Sequence, residues 1–236
     1  MSMIPRVETG LGKLNSWMRT ATPIGSPSSQ TSEVAKKSIG EVPPQIVEAS
    51  KFPQLSAMLA QYGIISVLRR KLMTLSGQDA RIVLAKNTVG AADNKGLVYL
   101  GVEFLQEMMH DPAFSAILAG VMAHEWGHLK SSLKKYGNLD QLTWDEIFEI
   151  RREEEAFADS FAGRNLPLMG YSVEPLVEFL MKDKDRLGSH KYFNPEIRAS
   201  ILRRAAQASQ DRQNFSQKLF SKGVYANPYT SILLVA

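Results

Sequence analysis

The chain has 236 residues, 44% of them hydrophobic and 22% charged, which suits one globular domain with extensions, or two small ones, and supplies a sizeable core. It contains no cysteine, which excludes disulfides and thiolate metal ligands, so any metal site must draw on His, Asp or Glu. The formal net charge is +4, and residues 182–236 carry ten Lys/Arg against four Asp/Glu; without interleaved aromatics this reads as a solvated helix face, and no nucleic-acid partner is expected.

Residues 1–50 read as a largely irregular extension. TPIGSPSSQTS is rich in Ser, Pro and Thr and EVPPQ adds two prolines, so little of this stretch can pack as regular structure. The opening stretch MSMIPRVETGLGKLNSW lacks the apolar run of a secretory signal. The longest apolar stretch, Phe114 to Ala123, is about half of the ~20 residues a membrane-spanning helix needs. A cytoplasmic location follows as the expectation, and membrane association without a spanning segment stays open.

A folded domain is expected over 51–222. From Pro53 to Leu75, Leu55, Met58, Leu59, Tyr62, Ile65, Leu68 and Leu72 recur at helical spacing. Two β-rich runs, Ile82–Ala85 and Leu97–Leu100, flank a Gly/Asn/Asp stretch and suggest paired strands around an extended rim. A short helix over 102–110 is closed by Asp111-Pro112, and a longer one is expected from there to about Lys135. Thr143 and Glu146 form a capping-box pattern for a helix running to about Arg164. Further helices are expected over 174–185 and from Asn194-Pro195 to about Phe220. The tail, 223–236, ends in SILLVA, which reads as packing on the core; the alternative is an inhibitory strand in a cleft. The fold class is α+β, mostly helical with a small β-sheet.

Chemistry concentrates in AHEWGHLK, residues 123–130. His124 and His128 are one helical turn apart and share a face, as two imidazoles chelating one ion must. Glu125 lies beside them, within reach of a water on the same ion, and Gly127 leaves room for another segment. Such polar groups in the middle of an apolar helix need partners. RREEEAFADSFAG offers them, with 26 residues between His128 and Glu155. Glu155 can supply a carboxylate oxygen to the ion, and Asp159, one turn on, can accept the second N–H of a ligating histidine. Ala158 and Ala162 share that face and are small enough to let two helices approach. A catalytic zinc has three protein ligands and one open position, which this set matches.

His-Glu-x-x-His followed by Glu-x-x-Ala-Asp resembles the gluzincin metallopeptidases, and most of all the family of the HtpX heat-shock protease and the CaaX prenyl protease. The resemblance covers roughly residues 80–200. It implies a zincin-like domain with the HExxH helix beside the sheet, and one zinc per chain held by His124, His128 and Glu155. It also implies Glu125 as the base and a polypeptide substrate. The run NTVGAADNKGLVYLG is similar to the family's strand pair ahead of the zinc helix, which implies Thr88, Val89, Gly90, Ala91 and Ala92 as the substrate-binding edge. YFNPEIR departs from the family's His-Pro…Arg segment: Arg198 is kept, but Tyr192 stands where the His belongs, with His190 two residues earlier. Tyr192, His190 and Arg198 are all candidates for stabilising the oxyanion; for Arg198 a salt bridge to the acidic helix is an equal reading.

The function expected is zinc-dependent endopeptidase activity. A non-proteolytic or latent metal-binding protein, and a basic helical interaction module without metal, are the alternatives. Substrate preference and oligomeric state are not legible.

Overall fold

A computed structural model describes residues 43–93, 95–131, 142–182 and 192–221. Along the chain lie β1 (Gln45–Ile46), a 3-10 turn (Ala49–Lys51), α1 (Pro53–Leu59), α2 (Ile64–Ser76), β2 (Arg81–Lys86), β3 (Gly90–Ala92) and β4 (Leu97–Gly101). These are followed by α3 (Val102–Met108), α4 (Phe114–Lys130), α5 (Trp144–Leu168), α6 (Glu174–Lys182) and α7 (Pro195–Ser221). The protein is α+β, mostly helical with a four-stranded mixed sheet in the order β1-β2-β4-β3.

α4 forms the centre. Its sequence is apolar nearly all round, the pattern of a helix with neighbours on every side, and Leu118, Met122 and Trp126 are fully buried in it. α2 contributes Ile65, Leu68 and Leu72 to the same core, the sheet Leu84, Val98 and Leu100, and α5 and α7 add Leu166 and Leu202. Trp126 belongs to that core and donates its indole N–H to the Gln78 carbonyl at 3.1 Å.

The helical pattern over 53–75 is broken into two helices at 60–63. At Gly63 an added Cβ would lie 2.3 Å from the carbonyl oxygens of both Ala57 and Met58, so the chain folds back on α1 where only glycine fits. α2 then stops at Gly77, in the left-handed conformation (φ 66°), whose N–H caps the Met73 carbonyl.

The sheet also departs from a simple pair. β2 and β4 are indeed neighbours, but they run parallel, and β3 is antiparallel to β4 on the outer edge. The chain leaving β2 must therefore cross the end of β4. Asn87 makes the turn with φ 63°. The Thr88 carbonyl passes so close over Gly101 that a Cβ there would lie 1.8 Å away. Gln45–Ile46, inside the stretch expected to be an irregular extension, pair antiparallel with β2.

Other elements follow their signals. The capping box at Thr143 is formed, with Thr143 N–H on the Glu146 carboxylate at 2.8 Å. α7 begins at Pro195 with Asn194 Oδ1 accepting the Ile197 N–H at 2.9 Å. α4 ends at Lys130, short of the expected Lys135, because Ser131 is already extended. α5 runs beyond Arg164 to Leu168 and carries Pro167 in its last turn. His110 is exposed just past α3, while Trp144 stacks at an angle on Phe148 at the start of α5. Residues 1–42, His190 and the SILLVA tail lie outside the described residues. Among the described residues, no helix is long and apolar enough to cross a membrane.

Candidate metal centre

Three helices converge on the AHEWGH motif, and small residues at the crossings let them do so. A Cβ at Gly127 would lie 2.5 Å from the Ala158 Cα, so α4 and α5 touch backbone to backbone beside His128 and Asp159. One turn along α5, a Cβ at Gly163 would lie 2.4 Å from the Leu202 carbonyl, which sets α7 equally close.

The first crossing brings His124, His128 and Glu155 together: one ligand atom from each lies within 4.8 Å of the others. His124 Nε2 and His128 Nε2 face each other at 3.1 Å. Glu155 Oε2 is 3.2 Å from His124 Nε2, and its Oε1 is 3.5 Å from His128 Nε2. Glu155 Oε2 is buried with no hydrogen-bond partner among the described residues. A buried carboxylate oxygen left so is costly. The donor set, two imidazoles and one carboxylate without sulfur, suits a divalent transition metal. The three residues could therefore hold a metal ion, and the orphaned oxygen is what such an ion would satisfy.

The second crossing supports the first. His124 Nδ1 donates to Asp159 Oδ1 at 2.9 Å, as the spacing of Glu155 and Asp159 anticipates. Arg198 then grips Asp159 with two bonds, Nε to Oδ2 at 2.7 Å and Nη2 to Oδ1 at 2.8 Å. Of the two readings of Arg198, the salt bridge to the acidic helix is formed.

Electrostatics in the metal-free site follow from these contacts. Burial pushes the Glu125 carboxyl up to about 7, with His124 opposing and the Glu155 charge adding to the shift. For His124, burial works downward, but the adjacent Asp159 and Glu155 carboxylates prevail and raise it to about 10. Burial would raise Glu155 and Asp159; His124 holds the first below the usual carboxylate range, and Arg198 the second.

Beside the cluster opens a pocket. Its polar end is lined by His124, Glu125, Tyr192 and Arg198; its apolar wall is Val121 with Leu176, Phe179 and Leu180 of α6. Tyr192 stands at the rim, 37% exposed, with its ring 5.3 Å from the Arg198 guanidinium. The α6 side chains carry no chemical signature and were not singled out as site residues; their helical spacing signals only a buried face.

Of the edge expected over Thr88–Ala92, Gly90–Ala92 form strand β3, Thr88 and Val89 precede it outside the strand, and the stretch borders the same pocket in part. Val89 and Gly90 line it, and a Cβ at Gly90 would come within 2.7 Å of Glu125 Oε1 and 2.8 Å of Val121 Cγ1. Gly101 N–H bonds to the Val89 carbonyl and Asp93 N–H to the Leu97 carbonyl, both at 3.0 Å. By the alternation of an antiparallel ladder, the N–H and C=O groups of Gly90 and Ala92 face outward from the sheet. Thr88 Oγ1 donates to the outward Gly90 carbonyl at 2.7 Å.

Comparison with protein-family models, curated proteins and solved structures finds no match.

Proposed function

We propose that the protein is a zinc-dependent endopeptidase with a zincin-like fold, a soluble member of the class its two motifs resemble. The observation that carries this reading is the juxtaposition of the His124–His128–Glu155 triad, the buried Glu125 and the outward edge of β3 around one pocket. Three ligands among the described residues, rather than a closed four, leave a position for substrate or water.

A bound zinc ion supplies Lewis acidity, making water acidic near neutral pH and polarising a carbonyl. The rest belongs to the chain. An extended peptide lies antiparallel along β3, bonding to the outward N–H and C=O groups of Gly90 and Ala92. Glu125, held beside Gly90, takes the proton from the attacking water on a carboxylate oxygen and returns it to the departing amine. The wall of Val121, Leu176, Phe179 and Leu180 receives an apolar side chain of the peptide and excludes water. Tyr192 is the group we assign to the negative charge developing on the substrate oxygen.

The test is zinc content and casein digestion on purified wild type, Glu125→Gln and Glu155→Ala. We expect about one zinc per chain in wild type and Glu125→Gln, much less in Glu155→Ala, and digestion by wild type alone. Zinc binding without digestion of any protein substrate would leave a metal-binding protein and remove the peptidase. Failure of all three to take up zinc would remove both. Tyr192→Phe should keep its zinc while kcat falls about 100-fold; an unchanged kcat would free Tyr192 of that role.

A further inference from the structure

Arg198 is one of the residues that the sequence offers for direct contact with substrate. Its geometry gives it other work. Both its Nε and its Nη2 point at one carboxylate, that of Asp159, which is 1% exposed. This is the planar two-pronged grip that guanidinium makes and ammonium cannot.

We propose that Arg198 is a positioning residue for the metal: it fixes the Asp159 carboxylate, which in turn holds the His124 ring with its Nε2 lone pair aimed at Glu155 and His128. The proposal rests on the reading of the triad as a metal site, and not on peptidase activity. Bond counting carries it. Arg198 occupies Asp159 Oδ2 and part of Oδ1 with donors. The remaining capacity of Oδ1 faces His124 Nδ1 at 2.9 Å, and a carboxylate that only accepts obliges that nitrogen to carry the proton. In the neutral ring, the form that binds a metal, the opposite nitrogen, Nε2, is then the bare one, on the side where Glu155 and His128 stand. The relay spans three helices: Arg198 on α7, Asp159 on α5, His124 on α4. Gly163 against Leu202, each one turn beyond the Asp159–Arg198 pair, locks the α5–α7 distance that the grip requires.

Without Arg198 the Asp159 carboxylate can rotate about its own bond, and the His124 ring loses its fixed orientation. Removing a partner of this kind lowers metal affinity by about 10–100-fold. A substrate-facing arginine would behave differently: its loss would lower kcat and leave metal affinity untouched.

The experiment is a zinc titration against a chromophoric chelator on wild type, Arg198→Met, Arg198→Lys, Asp159→Asn and the Arg198→Met/Asp159→Asn double variant. Thermal unfolding in EDTA accompanies each as a check on folding. We expect Arg198→Met to bind zinc about 10–100-fold more weakly. Arg198→Lys, with charge but no fork, should recover only part of the loss. The double variant should be no weaker than the poorer single, because the two residues act as one unit. Cobalt-loaded Arg198→Met should show visible bands displaced from wild type, reporting a changed ligand geometry. Should Arg198→Met fail to fold, the Arg198→Lys titration and its cobalt spectrum decide alone. Wild-type zinc affinity in Arg198→Met or Arg198→Lys overturns the proposal, as do single losses that multiply in the double variant. Wild type that binds zinc but cleaves nothing leaves the proposal standing and sinks only the peptidase.

Discussion

Glu125 and His124 are neighbours in sequence, and both are held above their ordinary pKa in the metal-free protein. The Glu125 carboxyl moves from 4.5 to about 7 and His124 from 6.5 to about 10. Each group binds its proton more tightly folded than unfolded, so each contributes stability at low pH that is lost as pH rises. For Glu125 the loss falls between 4.5 and about 7, and for His124 between 6.5 and about 10. Metal-free protein in EDTA should therefore melt at progressively lower temperature across that span. Glu125→Gln should flatten the lower part and leave the upper part. Superimposable melting curves for the two proteins below pH 7 would show that burial of Glu125 does not govern this region. Both histidines and Asp159 were legible from spacing, because a helix turns i, i+4 neighbours to one side whatever surrounds it. Arg198 was legible only as a choice of two roles, since its partner sits 39 residues away on a different helix.

At the scale of elements, the site depends on how closely helices cross. Gly127 meets Ala158 where α4 and α5 touch, and α4 has no slack there, being buried on nearly every side. Gly127→Ala has to push the two helices apart, and overpacking of this kind costs about 1–3 kcal/mol. Because His128 is the next residue and Ala158 precedes Asp159, the same displacement should also weaken zinc binding. Zinc titration and urea unfolding of Gly127→Ala read the two effects; wild-type values in both would mean the crossing has room after all. Thr143→Ala offers the contrast. It removes the cap of α5 three turns from Glu155, so it should lower stability by about 1 kcal/mol with zinc affinity unchanged. Glycine and alanine at the α4–α5 contact could be read from the sequence as small residues on a shared face. The parallel pairing of β2 with β4 could not. Periodicity marks a strand but not its neighbour, and the crossing depends on Asn87 at positive φ and Gly101 beneath Thr88, each of which reads locally as loop punctuation.

For the molecule as a whole, the consequence lies in what joins its parts. Two ligands come from α4 and one from α5, helices separated in sequence by the segment 131–143. α5 in turn holds α7 through the Asp159–Arg198 pair and the contact at Gly163. A metal ion held by the triad would therefore staple the central helix to the C-terminal pair, and would bind the folded state alone because the triad is assembled only there. At a free zinc concentration 100 times Kd, the linkage adds about 2.7 kcal/mol, or roughly 5–10 °C in Tm for a domain of this size. The gain should reappear in Glu125→Gln, which keeps all three ligands, and vanish in Glu155→Ala. Amide exchange should slow most in α4 and α5 on adding zinc and least in β1, which among the described residues pairs only with β2 and lies at the opposite edge of the sheet from β3. Melting scans with zinc and with EDTA measure the first effect, and exchange by mass spectrometry the second. A zinc shift of the same size in Glu155→Ala would mean that the ion binds elsewhere. Uniform slowing across the chain would mean that α4 and α5 do not open separately from the rest, and that metal stabilises the fold only as one cooperative unit.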